Sequence, residues 1–466
     1  MEPAPSDASV LDVDAPDEGL DRDPEVVDHP TPMTSRRWWW WVGGITAVGF
    51  VIRLVSVLGD QHRIPGGDSA YYFHAARLLV EGKGFINPSL YALPAHHAVQ
   101  TSSWPPLFVF ISAVPQALGF HSYLADRLWL CVFGSLAMVL VACAGKEIGG
   151  RRLGLIAAAL VAIYPNIWMS IDVGLSETMT PIVVAWVLWM AYRFWRRPSL
   201  RTTIWFAISI GITMLGRDEL SLLAVLLFVP LVLLARSLPW RRRFELIGIG
   251  ALIMVLCVAP WVGFNLSRFD KPVFISTGFG ITLASANCPA TYTGFSAGYW
   301  SFACAVATPL NHHADESVQS SEAQAYATKI IRAHLGEMPQ VEADRLGRAF
   351  GLFRPLQQIS LDSTVETRPY HWALAGLGMY YVLVVSALGG TWVLMRRKIP
   401  VFPLWVVGLN VVVSVLITFG NTRYRTPIEV PLVLLSSALY AFGFEKLKTR
   451  RTASPPLAEP VSVAAS

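Results

Sequence analysis

Long apolar segments, separated by short polar ones, run along most of the 466-residue chain. An α-helix needs roughly 20 mostly apolar residues to cross about 30 Å of hydrocarbon. Ten segments meet or approach this length, at 38–58, 125–145, 152–169, 178–195, 201–216, 219–236, 244–264, 372–395, 400–419 and 424–443. The pattern predicts an all-α polytopic membrane protein with about ten transmembrane helices and both termini on one side.

The positions of the basic residues support this topology independently. Clusters of arginine and lysine lie before the first span, after the second, fourth, sixth and eighth, and after the tenth. All of them fall on one face, and such residues are in excess on the cytoplasmic side of membrane proteins. We therefore place both termini in the cytoplasm and two large loops, 59–124 and 265–371, outside.

The segment 105–119 does not fit a simple crossing. It is apolar but short, and it contains three prolines. Counting it as a full span would move the basic cluster after span two to the outer side, against the charge rule. We interpret it as a re-entrant or interfacial helix on the outer face.

Composition indicates the class of protein and the boundaries between the regions of the chain. Hydrophobic residues make up 53% and charged residues 15%, whereas soluble proteins carry about 25% charged residues. Residues 1–35 hold ten acidic side chains and one basic one, which predicts a disordered acidic cytoplasmic tail; 446–466 is predicted to be a second disordered tail. Between them lie an N-terminal transmembrane module (36–264), an extracytoplasmic loop region (265–371) and C-terminal transmembrane helices (372–445).

Two of the five cysteines lie outside the predicted spans. Cys288 and Cys304 both fall in the second outer loop, where an oxidising compartment favours a disulfide. The alternative is a pair of free thiols. The other three, Cys131, Cys143 and Cys257, lie in spans and are interpreted as packing residues.

Ionisable residues are nearly absent from the span interiors and collect on the outer face. The candidates are Asp68 after two glycines, Glu177 in a short connection, Arg217, and Arg423 with Arg425 at the start of span ten. A carboxylate can act as a general base toward a hydroxyl, and guanidinium groups bind phosphate by charge-assisted hydrogen bonds. A secondary transporter would keep such groups near the bilayer midplane, so the pattern favours a site at the lipid–water boundary.

These features also have ordinary interpretations. Short connections between spans are polar in most membrane proteins, and an interfacial arginine often contacts lipid headgroups. Glu429 lies four residues after Arg425, at the spacing of a helical ion pair. Two histidine pairs, His96-His97 and His312-His313, invite a metal interpretation that we do not favour.

Taken in order, the motifs resemble the C-type glycosyltransferase superfamily of polytopic enzymes that use polyprenyl-phosphate sugars. Within it, the nearest likeness is to bacterial relatives of protein O-mannosyltransferases and lipid A aminoarabinose transferases. The resemblance extends from about residue 38 to 443. It rests on the order and spacing of "GGDSAYYFHAARLLVEGKGF" (66–85), "WPPLFVF" (104–110), "GRRLGLIAAALVAIYPN" (150–166), "LSE" (175–177), "LGRDELSLL" (215–223), "APWVGFN" (259–265) and "RYRTPIEVPLVLL" (423–435).

The resemblance implies roles for the outer-face residues. Asp68 would be the catalytic base and Glu177 the second acidic residue. Arg423 and Arg425, together with Arg217, would bind the donor phosphate. The module 36–264 would then be the catalytic one.

Two departures from the family pattern bear on cofactors and contacts. Many relatives carry an acidic pair where this chain has Asp68-Ser69, so no cofactor is predicted with certainty and a divalent metal stays open but not favoured. Many also carry Arg-Asn where this chain has Phe264-Asn265, which leaves Arg268 as a replacement contact.

The expected partners follow from this resemblance. They are a polyprenyl-phosphate sugar donor, membrane lipids and an acceptor glycan, protein or lipid that the sequence does not identify; no nucleic acid is expected. Tyr71, Tyr72, His74 and Trp104 are candidate substrate contacts, while the interfacial aromatic belt is the alternative for the aromatics and the favoured interpretation of Trp300. The sequence predicts a glycosyltransferase in the cell membrane with an extracytoplasmic active site. The alternative is a non-catalytic polytopic protein that binds or translocates a lipid-linked glycan.

Overall fold

The computed structural model describes residues 33–452, with side chains up to 443. Its α-helices are α1 (Ser35–Gly59), α2 (Asp68–Val80), α3 (Pro88–Tyr91), α4 (Leu107–Ala117), α5 (Tyr123–Gly149), α6 (Arg151–Ile163), α7 (Pro165–Val173), α8 (Thr180–Arg196), α9 (Leu200–Gly216), α10 (Val229–Leu233), α11 (Trp240–Leu266), α12 (Phe279–Ala286), α13 (Pro289–Tyr292), α14 (Phe302–Ala307), α15 (Glu316–Ala333), α16 (Met338–Ala349), α17 (Pro355–Thr364), α18 (Tyr370–Arg396), α19 (Phe402–Ile417) and α20 (Thr422–Thr452). Two 3-10 helices, Ser176–Thr178 and Asp218–Leu222, and a π-helix, Ala224–Phe228, complete the set.

The predicted all-α polytopic fold is confirmed. Within the described residues there is no strand, and one isolated bridge joins Ile86 and Gln100. The two tails predicted to be disordered lie largely outside the described residues, at 1–32 and 453–466. The boundary at 446 falls inside α20.

A helical segment lies at each of the ten predicted spans. Five helices in the described part, α1, α5, α11, α18 and the first 22 residues of α20, are long and apolar enough to cross a membrane, and the bent pair α6 and α7 would make a sixth. The others are shorter: α8 and α9 have 17 residues each, α19 has 16, and the segment 218–233 is split into 3-10, π and α pieces.

A proline explains the bend between α6 and α7. The two axes differ by 43°, because Pro165 has no N–H to donate to the carbonyl of Val161. The fully buried Arg53 of α1 donates instead, from Nη2 to Val161 O at 3.2 Å and from Nη1 to Ala162 O at 3.4 Å. This places a charged side chain inside the bundle in a structural role.

The segment 105–119 forms α4, whose 11 residues extend about 16 Å. This length is too short to cross a bilayer, as expected for a re-entrant or interfacial helix. It packs against α2 and α5. Its position on the outer face stays a prediction.

The two predicted outer loops are joined to each other. Glu316, the first residue of α15, accepts hydrogen bonds from Ser102 N (2.9 Å), Ser103 Oγ (3.0 Å) and Thr277 Oγ1 (3.0 Å). A disulfide joins Cys288 and Cys304 within the second loop, with 6.3 Å between their Cα atoms. Both loops therefore adjoin the same end of the bundle, where α2 and α20 begin.

Candidate active site

The guanidinium of Arg423 lies at the centre of three carboxylates, those of Asp68, Glu177 and Glu366. Its Nη1 donates to Asp68 Oδ2 and to Glu366 Oε2, each at 2.6 Å, and its Nε donates to Glu177 Oε1 at 2.7 Å. These residues come from α20, α2, the segment before α18 and the 3-10 helix after α7. Positions separated by hundreds of residues along the chain thus meet at one side chain.

A glycine turn places Asp68 in this cluster. Gly67, with φ +53°, precedes α2 in a backbone conformation that disfavours a side chain. Ser69 closes the turn, because its Oγ donates to Gly66 O at 2.8 Å and accepts from Gly66 N. The residue that stands in place of a second acid therefore shapes the turn and does not extend the cluster.

Glu177 links Arg423 to a second arginine. Its Oε1 also accepts from Arg217 Nη1 at 2.8 Å, and Arg217 Nε donates to Glu219 Oε1 at 2.5 Å. Glu177 is fully buried. Burial alone would raise the pKa of Glu177, but Arg423, Arg217 and Arg368 together hold it well below its ordinary value. This carboxylate therefore stays ionised.

The cluster holds more acids than bases. It comprises four carboxylates and two guanidinium groups: Asp68, Glu177, Glu219 and Glu366 with Arg217 and Arg423. Burial raises the pKa of Asp68, the adjacent Arg423 opposes the shift, and the nearby Glu366 and Glu177 add to it. With its pKa above the ordinary value, the Asp68 carboxylate is a stronger proton acceptor than an ordinary aspartate.

Arg425 lies apart from this cluster. Its Nε donates to Glu429 Oε1 at 2.7 Å, and its guanidinium stacks 3.8 Å from the ring centre of Tyr380. Tyr164 OH donates to the other oxygen of Glu429 at 2.5 Å. Residues two apart on a helix point to nearly opposite sides, so the structure brings Arg423, and not Arg425, to Asp68. The helical ion pair considered as the alternative is the arrangement that Arg425 adopts.

Three of the four predicted substrate contacts form a continuous aromatic group. The ring centres of Tyr72 and Trp104 lie 5.9 Å apart, and those of Tyr71 and Trp104 lie 6.4 Å apart. Both tyrosines follow Asp68 within the first turn of α2. His74 is exposed and contacts the ring of Phe73.

Two residues that orient Arg423, Glu366 and Asn421, were not identified from the sequence. Glu366 precedes α18, and its Oε1 accepts from Asn421 Nδ2 at 3.1 Å. Asn421 also accepts the backbone N–H of Arg423 at 3.0 Å, which orients the first turn of α20. The only sequence signal was a pair of charges, Glu366 and Arg368, directly before a span.

Comparison with known proteins shows which folds this chain is similar to. Residues 103–264 match the family model described as dolichyl-phosphate-mannose-protein mannosyltransferase. The structure overlaps the archaeal oligosaccharyltransferase AglB from Archaeoglobus fulgidus, in complex with an inhibitory peptide and a dolichol-phosphate, with a TM-score of 0.53 and 14% identity over 90% of this chain and 53% of that one. The chain therefore has the fold of polytopic C-type glycosyltransferase (GT-C) membrane enzymes.

Two further structures show the range of the likeness. The A. fulgidus oligosaccharyltransferase in complex with Zn and sulfate overlaps with a TM-score of 0.51 and 14% identity over 87% of this chain and 50% of that one. ArnT from Cupriavidus metallidurans, bound to undecaprenyl phosphate, has a TM-score of 0.39 and 16% identity over 90% of this chain and 81% of its own. This chain spans about half the length of the archaeal enzymes, and no curated protein matches it.

The described residues around Arg423 do not form a ready metal site. Among the described residues no three His, Cys, Asp or Glu side chains are grouped to hold an ion. Arg423 Nη1 occupies the space between Asp68 and Glu366, and a bridging divalent ion would have to displace it. The residues present therefore do not fit a divalent metal.

Arg268, considered as a replacement phosphate contact, has a different role in the structure. Its guanidinium donates to Thr101 O at 2.8 Å, Phe85 O at 3.0 Å and Asn265 Oδ1 at 2.8 Å. It fastens the first outer loop to the end of α11. The structure does not bring it to Arg423.

We expect Glu177→Gln to lower the thermal unfolding midpoint of the detergent-purified protein. The change removes the negative charge that two buried guanidinium groups share. We expect the free energy of unfolding to fall by about 3 kcal/mol, which is the low end for a broken buried ion pair, because other carboxylates remain nearby. Glu81→Gln is the matched control, since Glu81 pairs with Arg77 and Lys83 in exposed positions. Equal midpoints for the two variants would contradict the structural importance of Glu177.

Proposed function

We propose that this chain is an integral membrane glycosyltransferase of the GT-C type that moves a sugar from a polyprenyl-phosphate-linked donor to an acceptor on the extracytoplasmic face. The observation that carries the proposal is the convergence of Asp68, Glu177 and Glu366 on Arg423. It joins a proton acceptor and a phosphate-binding group at one place. The dolichol-phosphate in the AglB complex and the description of the matching family model support a lipid-phosphate donor.

Exposure distinguishes the carboxylates. The side chain of Asp68 is 24% exposed, whereas Glu219 is 17%, Glu366 is 9% and Glu177 is 0% exposed. Asp68 is thus the most accessible carboxylate, and of the three that contact Arg423 it is the one that we assign as the general base. Glu177 and Glu366 orient Arg423 from its other sides.

Arg423 retains one nitrogen, Nη2, whose N–H groups can donate to the substrate. Its Nε and Nη1 are taken by carboxylates, while Nη2 makes no hydrogen bond within residues 33–443. We assign Nη2 to an oxygen of the donor phosphate. As the acceptor oxygen bonds to the anomeric carbon, the bond from that carbon to the phosphate oxygen breaks, and the proton of the acceptor passes to Asp68. The polyprenyl phosphate leaves as an anion, and the positive charge of Arg423 stabilises it.

The charge pattern supports an outward-facing site. Arg36 and Arg37 lie at one end of α1, and Asp68 follows the other end. In the same way α20 begins at the cluster and runs toward the basic residues of 446–451. The cluster therefore lies at the ends opposite the basic ones, which are cytoplasmic by the charge rule.

The half-buried rings of Tyr71 and Trp104 supply a surface for the sugar. They flank the first turn of α2, next to Asp68. Aromatic faces pack well against the apolar faces of pyranose rings by dispersion. We assign this group to the sugar of the donor or acceptor.

Asp68→Asn should abolish sugar transfer while leaving the protein folded and inserted, because the amide cannot accept the proton. Transfer is measured as release of polyprenyl phosphate by protein reconstituted in liposomes. A loss of about 100-fold or more is expected for a general base. Asp270→Asn is the matched control, since Asp270 is an exposed acid of the second outer loop. Near-normal turnover in Asp68→Asn would refute the assignment.

The pH dependence of transfer should show the raised pKa of Asp68. The base form is the carboxylate, so the rate should fall as pH decreases through a value above the ordinary range for aspartate. Glu366→Gln removes one of the negative charges that raise this pKa. The acid limb of the profile, where the transfer rate falls as pH decreases, should therefore move to lower pH in this variant. Glu337→Gln, at an exposed position, should leave the limb in place. A shift to higher pH in Glu366→Gln would contradict the assignment.

A further inference from the structure

The disulfide-closed segment 288–304 lies directly against the turn that precedes Arg423. Gly420 donates its backbone N–H to Gly298 O at 2.8 Å. The rings of Tyr299 and Trp300 pack on Phe419, with centroid distances of 6.1 and 6.3 Å. The segment thus touches the α19–α20 turn just before Asn421 and Arg423.

The contact requires close approach of the two backbones. A Cβ on Gly420 would lie 2.3 Å from Arg345 O and 2.8 Å from Gly298 O. Gly298 has φ +71°, and a Cβ there would lie 2.7 Å from the carbonyl carbon of Asp344. Both positions therefore need glycine, and the segment, the turn and α16 form one packed junction.

Two buried arginines of α16 fix the disulfide-closed segment and the turn together. Arg345 donates from Nη2 to Oδ1 of Asn287, the residue before Cys288, at 2.9 Å, and from Nη1 to Leu416 O, at the end of α19, at 3.3 Å. It therefore joins the start of the segment to the helix that leads into the turn. Arg348 donates to Phe295 O at 2.9 Å and to Ala297 O. Both side chains are almost fully buried.

A second route of hydrogen bonds reaches the residue next to Arg423. Arg348 Nη1 donates to Gln358 Oε1 at 3.3 Å, and Gln358 Nε2 donates to Asp362 Oδ1 at 2.8 Å. Asp362 Oδ2 accepts from Thr422 Oγ1 at 2.5 Å. The segment therefore contacts Gly420 directly and Thr422 through α17.

Burial alone does not hold the far end of this segment. None of the six residues of α14, which contains Cys304, is buried. Cys288, by contrast, is buried at the start of α13. A hydrogen bond from Ser301 N to Ser285 O at 2.9 Å also holds this end, and the disulfide is its covalent attachment to Cys288.

We infer that the disulfide-closed segment 288–304 is a positioning element of the active site, which holds the α19–α20 turn so that Arg423 stays aligned with Asp68. The part of the inference that concerns turnover rests on the proposed function. The part that concerns the turn does not, because the contacts with Gly420 and Thr422 are independent of any reaction.

The first test is hydrogen exchange on the full-length protein, oxidised and after treatment with a dithiol reagent. The reagent reduces the bridge to two thiols and is itself oxidised to a disulfide. We expect the backbone amides of 416–424 to exchange about tenfold faster after reduction, as local opening becomes easier, with α9 unchanged. Unchanged exchange at 416–424 would overturn the inference, and so would an equal increase in α9, since the effect would then be global.

The matched control is the double variant C288S/C304S, which keeps the free cysteines 131, 143 and 257. It should show the faster exchange at 416–424 without reagent and no response to it. A response of this variant to the dithiol would attribute the effect to another cysteine and overturn the inference.

The functional readout is the transfer rate as a function of pH, measured for the oxidised and the reduced enzyme. The informative part is the acid limb, where the rate falls as pH decreases. Because Arg423 lowers the pKa of Asp68, a misaligned Arg423 should move the limb to higher pH, which a merely structural bridge would not do. A limb that stays in place in an active reduced enzyme would overturn the positioning role. If neither form transfers sugar, the proposed function fails, while the exchange result still decides whether the segment holds the turn.

Discussion

The burial of Arg423 is the constraint around which the outer part of the molecule is arranged. A buried guanidinium is strongly unfavourable unless carboxylates surround it. Here each partner comes from a different part of the chain: Asp68 from α2, Glu177 from the connection after α7, and Glu366 from the segment before α18. Satisfying one charge thus fixes the relative positions of the first outer loop, the helix bundle and the second outer loop.

Burial and charge together give this cluster its proposed chemistry. Four carboxylates surround two guanidinium groups. Burial is the main cause that raises the pKa of Asp68, and the nearby Glu366 and Glu177 add to the shift while Arg423 opposes it. This suits Asp68, the most exposed of the four acids, to the proposed role of base, and Nη2 of Arg423 stays available for the proposed contact with phosphate.

Local sequence patterns predicted the membrane part and four of the six residues of the charged cluster. Apolar length and the distribution of basic residues located every helical segment of the bundle, and the ordered motifs identified Asp68, Glu177, Arg217 and Arg423, which the structure brings together. The helical period could have separated Arg425 from Arg423 and His74 from Asp68. Glu366 could not have been found in this way, because its contact with Arg423 depends on how the second outer loop folds back. The break at Pro165 has a local cause, a proline without an N–H, whereas the division of 218–233 into 3-10, π and α pieces was not predicted.

The most direct test of the catalytic assignment is to incubate the purified, reconstituted protein with a panel of polyprenyl-phosphate sugars and a membrane extract as the source of acceptor. A transferase with this centre should consume at least one donor, with stoichiometric release of polyprenyl phosphate and appearance of the sugar on an acceptor. Binding of a donor that stays intact would instead identify a non-catalytic protein for lipid-linked glycans and would contradict the assignment of Asp68 and Arg423.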